Sequence, residues 1–293
     1  MIPTDLINKI HQIEIRTSHR VNDFYAGRYH SAFKGQGMEF QEVRPYVPGD
    51  DIRSIDWNVT ARMGDPYIKT FTEEREMTVM LLVDISASHQ FGSTRQFKKD
   101  LAAELAAVLA FSAIKNNDRV GLILFSKDVE FYIPPKKGTS HVLRVIREVL
   151  YVEPKHRGTH IESALTFLLR VRRRKAVTFL LSDFFDNNFE HSIRFASKYH
   201  DLVAVVIGDK RESTWPAIGL VDWEDAESGK RFLLDTSDPG TRRRLAQIQA
   251  QRRTNLSRTF RSAGIDAIHV FAGEPYQSEF IRFFSRREER KRR

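Results

Sequence analysis

Cysteine is absent from all 293 residues. That removes disulfides and thiolate-bound metals, and it fits a reducing intracellular compartment without requiring one. Long apolar runs are missing as well. No stretch approaches the ~18–20 apolar residues needed to cross a bilayer. The opening MIPTDLINKIHQIEIRTSHR lacks the apolar core of a secretory signal, so a cytoplasmic location is expected. There is no GxxxxGK[ST] phosphate loop, no GxSxG elbow and no HExxH pair. His156 and His160 stand four apart, but Gly158 and Thr159 lie between them and no glutamate accompanies them, so they read as loop or helix-start residues rather than zinc ligands. Low-complexity linkers and internal repeats are also lacking. The length then suits one large domain with appendages.

Positive charge is in excess, at a formal +9, and it is clustered. Arg172, Arg173, Arg174 and Lys175 form one group, Arg242, Arg243 and Arg244 a second, and the tail SRREERKRR (285–293) a third. Such surfaces attract nucleic acid, anionic lipid or acidic proteins. Solvated helix ends and a frayed tail are the preferred reading, because no aromatic-and-glycine RNA-binding signature accompanies the clusters. Nucleic acid is not an expected partner. A peripheral contact at the inner membrane would be weak, since one polybasic segment without an apolar anchor holds poorly.

Periodicity predicts an α/β protein. Residues to about 30 suggest helix, from the spacing of Leu6, Ile10, Ile13 and Val21. Residues 31–75, with glycines at 35, 37, 49 and 64, suggest short strands and ordered loops. Strands are then expected at 77–84, 119–126, 129–135, 176–183, 202–209 and 266–271, alternating with helices near 93–116, 139–150, 160–173, 188–199 and 238–263. The pair at 119–126 and 129–135, joined by Lys127 and Asp128, is expected to be antiparallel. A hairpin is expected at about 217–236. Alternation of this kind builds a doubly wound, mostly parallel sheet covered by helices on both faces. The expected division is 1–75 as an N-terminal helical and short-strand extension, 76–273 as the main domain, and 274–293 as a C-terminal helix and basic tail.

The stretch LLVDISAS (81–88) puts Asp84, Ser86 and Ser88 on alternate positions where an apolar strand ends. Residues two apart in an extended segment point the same way. GlyThrHis (158–160) opens a helix and LeuSerAspPhe (181–184) ends another strand, which brings Thr159 and Asp183 to the same sheet edge, where ligands of such sheets sit. Two carboxylates and three hydroxyls are hard oxygen donors suited to magnesium or manganese. Two negative charges just balance a divalent ion and leave it able to accept one carboxylate from outside. The plainer alternative is that Asp84 caps the next helix and the serines make turn hydrogen bonds.

Taken in order, DISAS, GT and LLSD resemble the metal ion-dependent adhesion site of von Willebrand factor A domains. The stretch GMEFQEVRPYVPGDDIRSIDWNVTARMGDPYIKTFTEEREMTVMLLVDIS (37–86) is similar to the bacterial "domain of unknown function 58" family, in which this charged segment leads into such a domain. The resemblance covers about 35–208. It implies a von Willebrand factor A-like, Rossmann-type fold and assigns Asp84, Ser86, Ser88, Thr159 and Asp183 to metal binding, some directly and some through water. It also implies action as an adaptor or co-chaperone-like partner of a MoxR-type AAA+ ATPase. His89 departs from the family's frequent methionine and falls outside the ligand set.

In the charged segment, Arg44, Asp50, Asp51, Arg53, Asp56 and Arg62 accompany Tyr46 and Trp57. Paired hydrogen bonds locking an irregular segment are the expectation for Asp50, Asp51, Asp56 and Trp57, with a partner surface as the rival and Arg44 and Arg62 open. Gly35-Gln36-Gly37 reads as a turn. The functional expectation is a protein-interaction module, not an enzyme: a partner's aspartate or glutamate would complete the shell of magnesium or manganese. A magnesium-dependent phosphohydrolase is the alternative, alongside nucleic-acid or anionic-membrane binding through the basic clusters. It lacks a general base beside the proposed ion.

Overall fold

Seven consecutive buried residues, Thr78–Asp84, form the strand β3 at the heart of the molecule. A strand buried along its whole length, with five apolar residues at its centre, belongs in a parallel sheet covered on both faces. It pairs in parallel with β4 (Arg119–Phe125) on one side and with β6 (Val177–Ser182) on the other. The antiparallel β5 (Val129–Lys136) lies outside β4, while β7 (Asp201–Gly208) and β10 (Asp266–Phe271) continue in parallel beyond β6. The strand order is β10-β7-β6-β3-β4-β5, the doubly wound, mostly parallel sheet expected.

The computed structural model describes residues 29, 32, 33, 39–72, 76–93, 96–227 and 229–292. The helix expected before residue 30 lies outside them except for Tyr29, as does Gly35-Gln36-Gly37. Two compact units divide the chain, one of residues 33–77 and one of 1–32 with 78–293.

In the smaller unit, β1 (Glu39–Pro45) pairs antiparallel with β2 (Tyr67–Thr72), and between them lies α1 (Trp57–Met63). Charge fixes this segment through local wiring. Both terminal guanidinium nitrogens of Arg44, Nη1 and Nη2, donate to Asp50, at 2.9 and 2.7 Å, and Asp50 also accepts the Val47 N–H. Asp51 caps the short turn Ile52–Ser54, and Asp56 caps α1 by accepting from Asn58 and Val59. Trp57 departs from the structural role expected of it. It is 69% exposed, standing at the first position of a short helix whose buried cap is Asp56.

The larger unit adds α2 (Lys98–Lys115), α3 (Thr139–Tyr151), α4 (Ile161–Val171), α5 (Glu190–Tyr199), α6 (Pro239–Ala263) and α7 (Gln277–Arg292) to the six-stranded sheet. Helix α2 is buried on nearly every side, well beyond the expected face of Leu101, Leu105, Val108 and Leu109. Six buried alanines, at 102, 103, 106, 107, 110 and 113, permit this close approach. A separate two-stranded sheet, β8 (Leu220–Glu224) with β9 (Arg231–Asp235), is the hairpin.

Close packing has a sharp consequence at Gly121 on β4. A Cβ there would lie 2.7 Å from Met80 Sδ and 3.1 Å from the Ile133 carbonyl. Gly121→Ala is expected to cost about 1–3 kcal/mol, read from urea unfolding as a lower midpoint at unchanged slope.

The basic tail is not frayed as expected. It is helical through Arg292 among the described residues, and Arg287, 14% exposed, bonds Asp201 and Asp266 at the starts of β7 and β10. Phe280, Phe283 and Phe284 anchor the same helix, and Tyr29 stands edge-on to Phe284 at 6.2 Å. Two other clustered arginines also turn inward. Arg172 donates to Thr78 Oγ1, and Arg242 to the carbonyls of Thr236 and Ser237. Among the described residues no helix is long and apolar enough to cross a membrane.

Candidate metal centre

The chain runs outward from β3 through β4 to β5, then returns to β6 on the opposite flank of β3. This reversal opens a crevice at the carboxyl ends of β3 and β6, the usual ligand position in such sheets. Asp84 is the last residue of β3, and Asp183 follows the last residue of β6. Both are buried.

Each carboxylate is aimed by its own loop. Asp84 Oδ1 accepts the Ser86 N–H at 2.9 Å, and Oδ2 accepts the Ser182 hydroxyl at 2.6 Å. The Ser86 and Ser88 hydroxyls lie 3.1 Å apart, both side chains buried. Asp183 Oδ1 accepts the Phe185 N–H at 3.1 Å, and its carbonyl accepts from Arg252 at 2.8 Å. The turn that makes this possible runs through Phe184, whose φ of +56° is left-handed. A bulky residue rarely takes that conformation. Burial among Phe189 and Phe260, at ring distances of 5.8 and 5.1 Å, holds it there.

Thr159 sits just before α4. Its loop is tied to the serine loop by the Ala87 N–H bonding the Arg157 carbonyl at 3.1 Å. Its hydroxyl donates to Glu227 Oε1 at 2.7 Å. Asp186 Oδ2 caps α4 by accepting the Ile161 N–H.

Three further residues belong to this cluster. Lys98 opens α2, is buried, and donates to Asp183 Oδ2 at 2.8 Å and to Glu212 Oε1 at 2.6 Å. His89 is fully buried, with Nδ1 3.7 Å from Asp84 Oδ1, and neither ring nitrogen has a hydrogen-bond partner among the described residues. One ligand atom each from Asp84, His89 and Asp183 lie within 4.8 Å of one another. Glu227, in the hairpin turn, is the third. No local pattern marks Lys98 or Glu227, which are 85 and 68 residues from their partners here. His89 did carry a signal, standing next to the second serine, but its burial is a property of the fold.

The electrostatics are divided. Burial disfavours the Asp183 carboxylate, yet Lys98 and the facing His89 outweigh it and bring its pKa down to about 2. Burial dominates at Asp84, reinforced by Asp183, and raises its pKa. Burial would lower Lys98, but Asp183 and Glu212 prevail and raise it. Glu227 is pushed up to about 7 by burial, against its Thr159 bond, with Asp183 and Asp84 adding repulsion.

A divalent cation fits this donor set. Buried carboxylates that repel one another, adjacent hydroxyls and an imidazole with no hydrogen-bond partner among the described residues all gain from a positive ion. His89 also widens the choice, since an imidazole nitrogen suits zinc better than magnesium.

Comparison with known proteins adds the following. An uncharacterized protein of Mycobacterium tuberculosis strain H37Rv is 29% identical over 280 residues, covering 94% of this chain and 87% of the relative. YeaD of Bacillus subtilis is 28% identical over 107 residues, 36% of this chain and 25% of its own length. Among solved structures, the conserved hypothetical protein BatB from Bacteroides thetaiotaomicron is similar with a TM-score of 0.47 and 16% identity, over 73% of this chain and 99% of BatB. The SpRpn10 VWA domain is similar with a TM-score of 0.39 and 10% identity, over 71% and 94%. The family described as "Protein of unknown function DUF58" matches residues 42–255, and this chain belongs to it.

Proposed function

We propose that the protein is a metal-dependent interaction module in which Asp84, Ser86, Ser88, Thr159 and Asp183 hold magnesium or manganese. Bound there, the ion would supply an electrophilic position for one carboxylate of a partner protein. The observation that carries this reading is the burial of Asp84 and Asp183 together at the switch point of the sheet, with the paired serine hydroxyls beside Asp84. Burying two like charges is costly unless a cation compensates them, and Lys98 is shared with Glu212. The adaptor role beside a MoxR-type AAA+ ATPase, inside the cell or at the inner membrane surface, is the finer form of the proposal. Its support is the family resemblance of the segment 37–86.

Calorimetry tests the metal. Magnesium and manganese titrated into the full chain are expected to give saturable heat that Asp84→Ala abolishes. Equal heats from the two proteins would remove the site. Partners captured from lysate are expected to be lost on chelation, and retention of all of them would separate binding from the ion.

One observation speaks for the phosphohydrolase. Glu227, bonded to Thr159 and pushed up to about 7 by burial, is a candidate base that the sequence does not reveal. Against it, Asp84, which would be the nucleophile, has both oxygens engaged by Ser86 and Ser182. No turnover of a phosphoester panel with either metal is expected.

A further inference from the structure

Two cations flank Asp183, and the chain uses them differently. Lys98 is buried and engaged by two carboxylates, those of Asp183 and Glu212. Arg252, on α6, bonds no carboxylate among the described residues. Its Nη2 donates instead to the main-chain carbonyl of Asp183 at 2.8 Å. Its guanidinium carbon lies 3.1 Å from the centroid of the Phe185 ring, and this stacking fixes the group. Burial lowers its pKa, while Asp183, Glu212 and Glu227 oppose this through space without accepting a hydrogen bond from it.

The buried residues of α6 are Leu256, Thr259 and Phe260, all of which follow Arg252. The helix therefore leaves the core at Arg252, level with the carboxyl end of β6 that carries Asp183. The next residue, Arg253, is at the same level, donating to Ser213 in the loop after β7 at 3.1 Å. A guanidinium has five N–H groups. Nε and Nη1 of Arg252 donate to no group among the described residues, and neither is enclosed. Arg252 is thus a fixed cation with open donors at the rim of the crevice. Holding one carbonyl takes a single donor. A planar fork with the rest of its donors free is the group by which carboxylates are recognised.

We infer that Arg252 is a specificity-determining residue that receives a second carboxylate of the partner, beside the one held by the ion. This rests on the metal-dependent reading above and adds to it the kind of segment the site selects, one with two acidic side chains close together. The spacing follows from Asp183 itself. Its side chain is a proposed metal ligand and its carbonyl seats the guanidinium, so the two positions are separated by the span of one residue. A lone acid would engage the ion and leave Arg252 unanswered. A charge-assisted hydrogen bond of this kind corresponds to about ten-fold in affinity.

The test uses the full chain and fluorescein-labelled glycine–serine peptides carrying a single glutamate, two glutamates flanking one glycine, or no acid, with magnesium or with chelator. Arg252→Gln removes the charge, and Arg252→Lys keeps it without the fork. Arg253→Gln, the exposed neighbour on the same helix, is the control. In anisotropy the magnesium-loaded wild type is expected to bind the two-glutamate peptide about ten-fold tighter than the single-glutamate one, a preference absent in chelator. Arg252→Gln is expected to bind the two alike, at the wild-type affinity for a single glutamate. Arg252→Lys should fall between, and Arg253→Gln should match the wild type. Calorimetry is expected to give wild-type magnesium heat for all three variants. If Arg252→Gln takes up magnesium normally and keeps the preference, the second anchor falls and the metal site stands. A magnesium-loaded wild type that binds the two peptides alike, or neither, overturns it as well. Loss of magnesium heat in both Arg252 variants would make Arg252 a support for Asp183 and not an anchor for the partner. If the wild type takes up no magnesium, the metal reading itself falls and takes this inference with it.

Discussion

Lys98→Met is expected to cost the metal-free protein about 3–5 kcal/mol, the usual result of removing one partner from a buried ion pair. Lys98 donates to Asp183 at 2.8 Å and Glu212 at 2.6 Å, with its ammonium near the rings of Phe91 and Phe185. Methionine has a similar length but leaves two carboxylates uncompensated. In a domain of this size the loss corresponds to a fall in Tm on the order of 10 °C. The same change removes a positive charge from the edge of the proposed metal site. Magnesium should therefore raise the Tm of Lys98→Met more than that of the wild type, by linkage to tighter binding. Thermal unfolding in chelator and in magnesium measures both effects. A variant as stable as the wild type in chelator would mean that the ion pair contributes nothing net.

Phe184 carries the second large effect. Truncation to alanine empties a fully enclosed aromatic site against Phe189 and Phe260 and is expected to cost about 3–5 kcal/mol. The left-handed backbone adds a diagnostic twist. Alanine at positive φ keeps the strain of phenylalanine without its packing, whereas glycine is free of it. Phe184→Gly is therefore expected to equal or exceed Phe184→Ala in stability, by up to about 1 kcal/mol, the reverse of the usual order. Urea midpoints of the two variants decide this. An alanine variant more stable by about 1 kcal/mol would show that the turn is not strained.

Much of this architecture is legible in the sequence. The run MTVMLLVD leads into a strand paired on both sides, and the spacing of apolar runs by amphipathic ones yields the doubly wound order. At the candidate site, Asp84, Ser86 and Ser88 share one loop, so alternation along the chain was enough to group them. What escaped was whatever the fold brings in from elsewhere. The character of Lys98 comes from Asp183 and Glu212, on two other loops, and nothing in QFKKD distinguishes it from its exposed-looking neighbour Lys99. Glu227 sits in a turn whose composition reads only as a turn. The balance of two carboxylates against one divalent ion was accordingly too simple, since the cluster also holds an ammonium, an imidazole and a third carboxyl group.

The carboxyl-terminal helix has a practical bearing on how the chain can be handled. Arg287 lies between Asp201 and Asp266, which open two adjacent parallel strands of the sheet. Trimming the last nine residues as an apparently dispensable basic appendage would unfasten a clasp between neighbouring strands and leave two like charges side by side. Shortened versions would then misbehave for reasons unrelated to the metal.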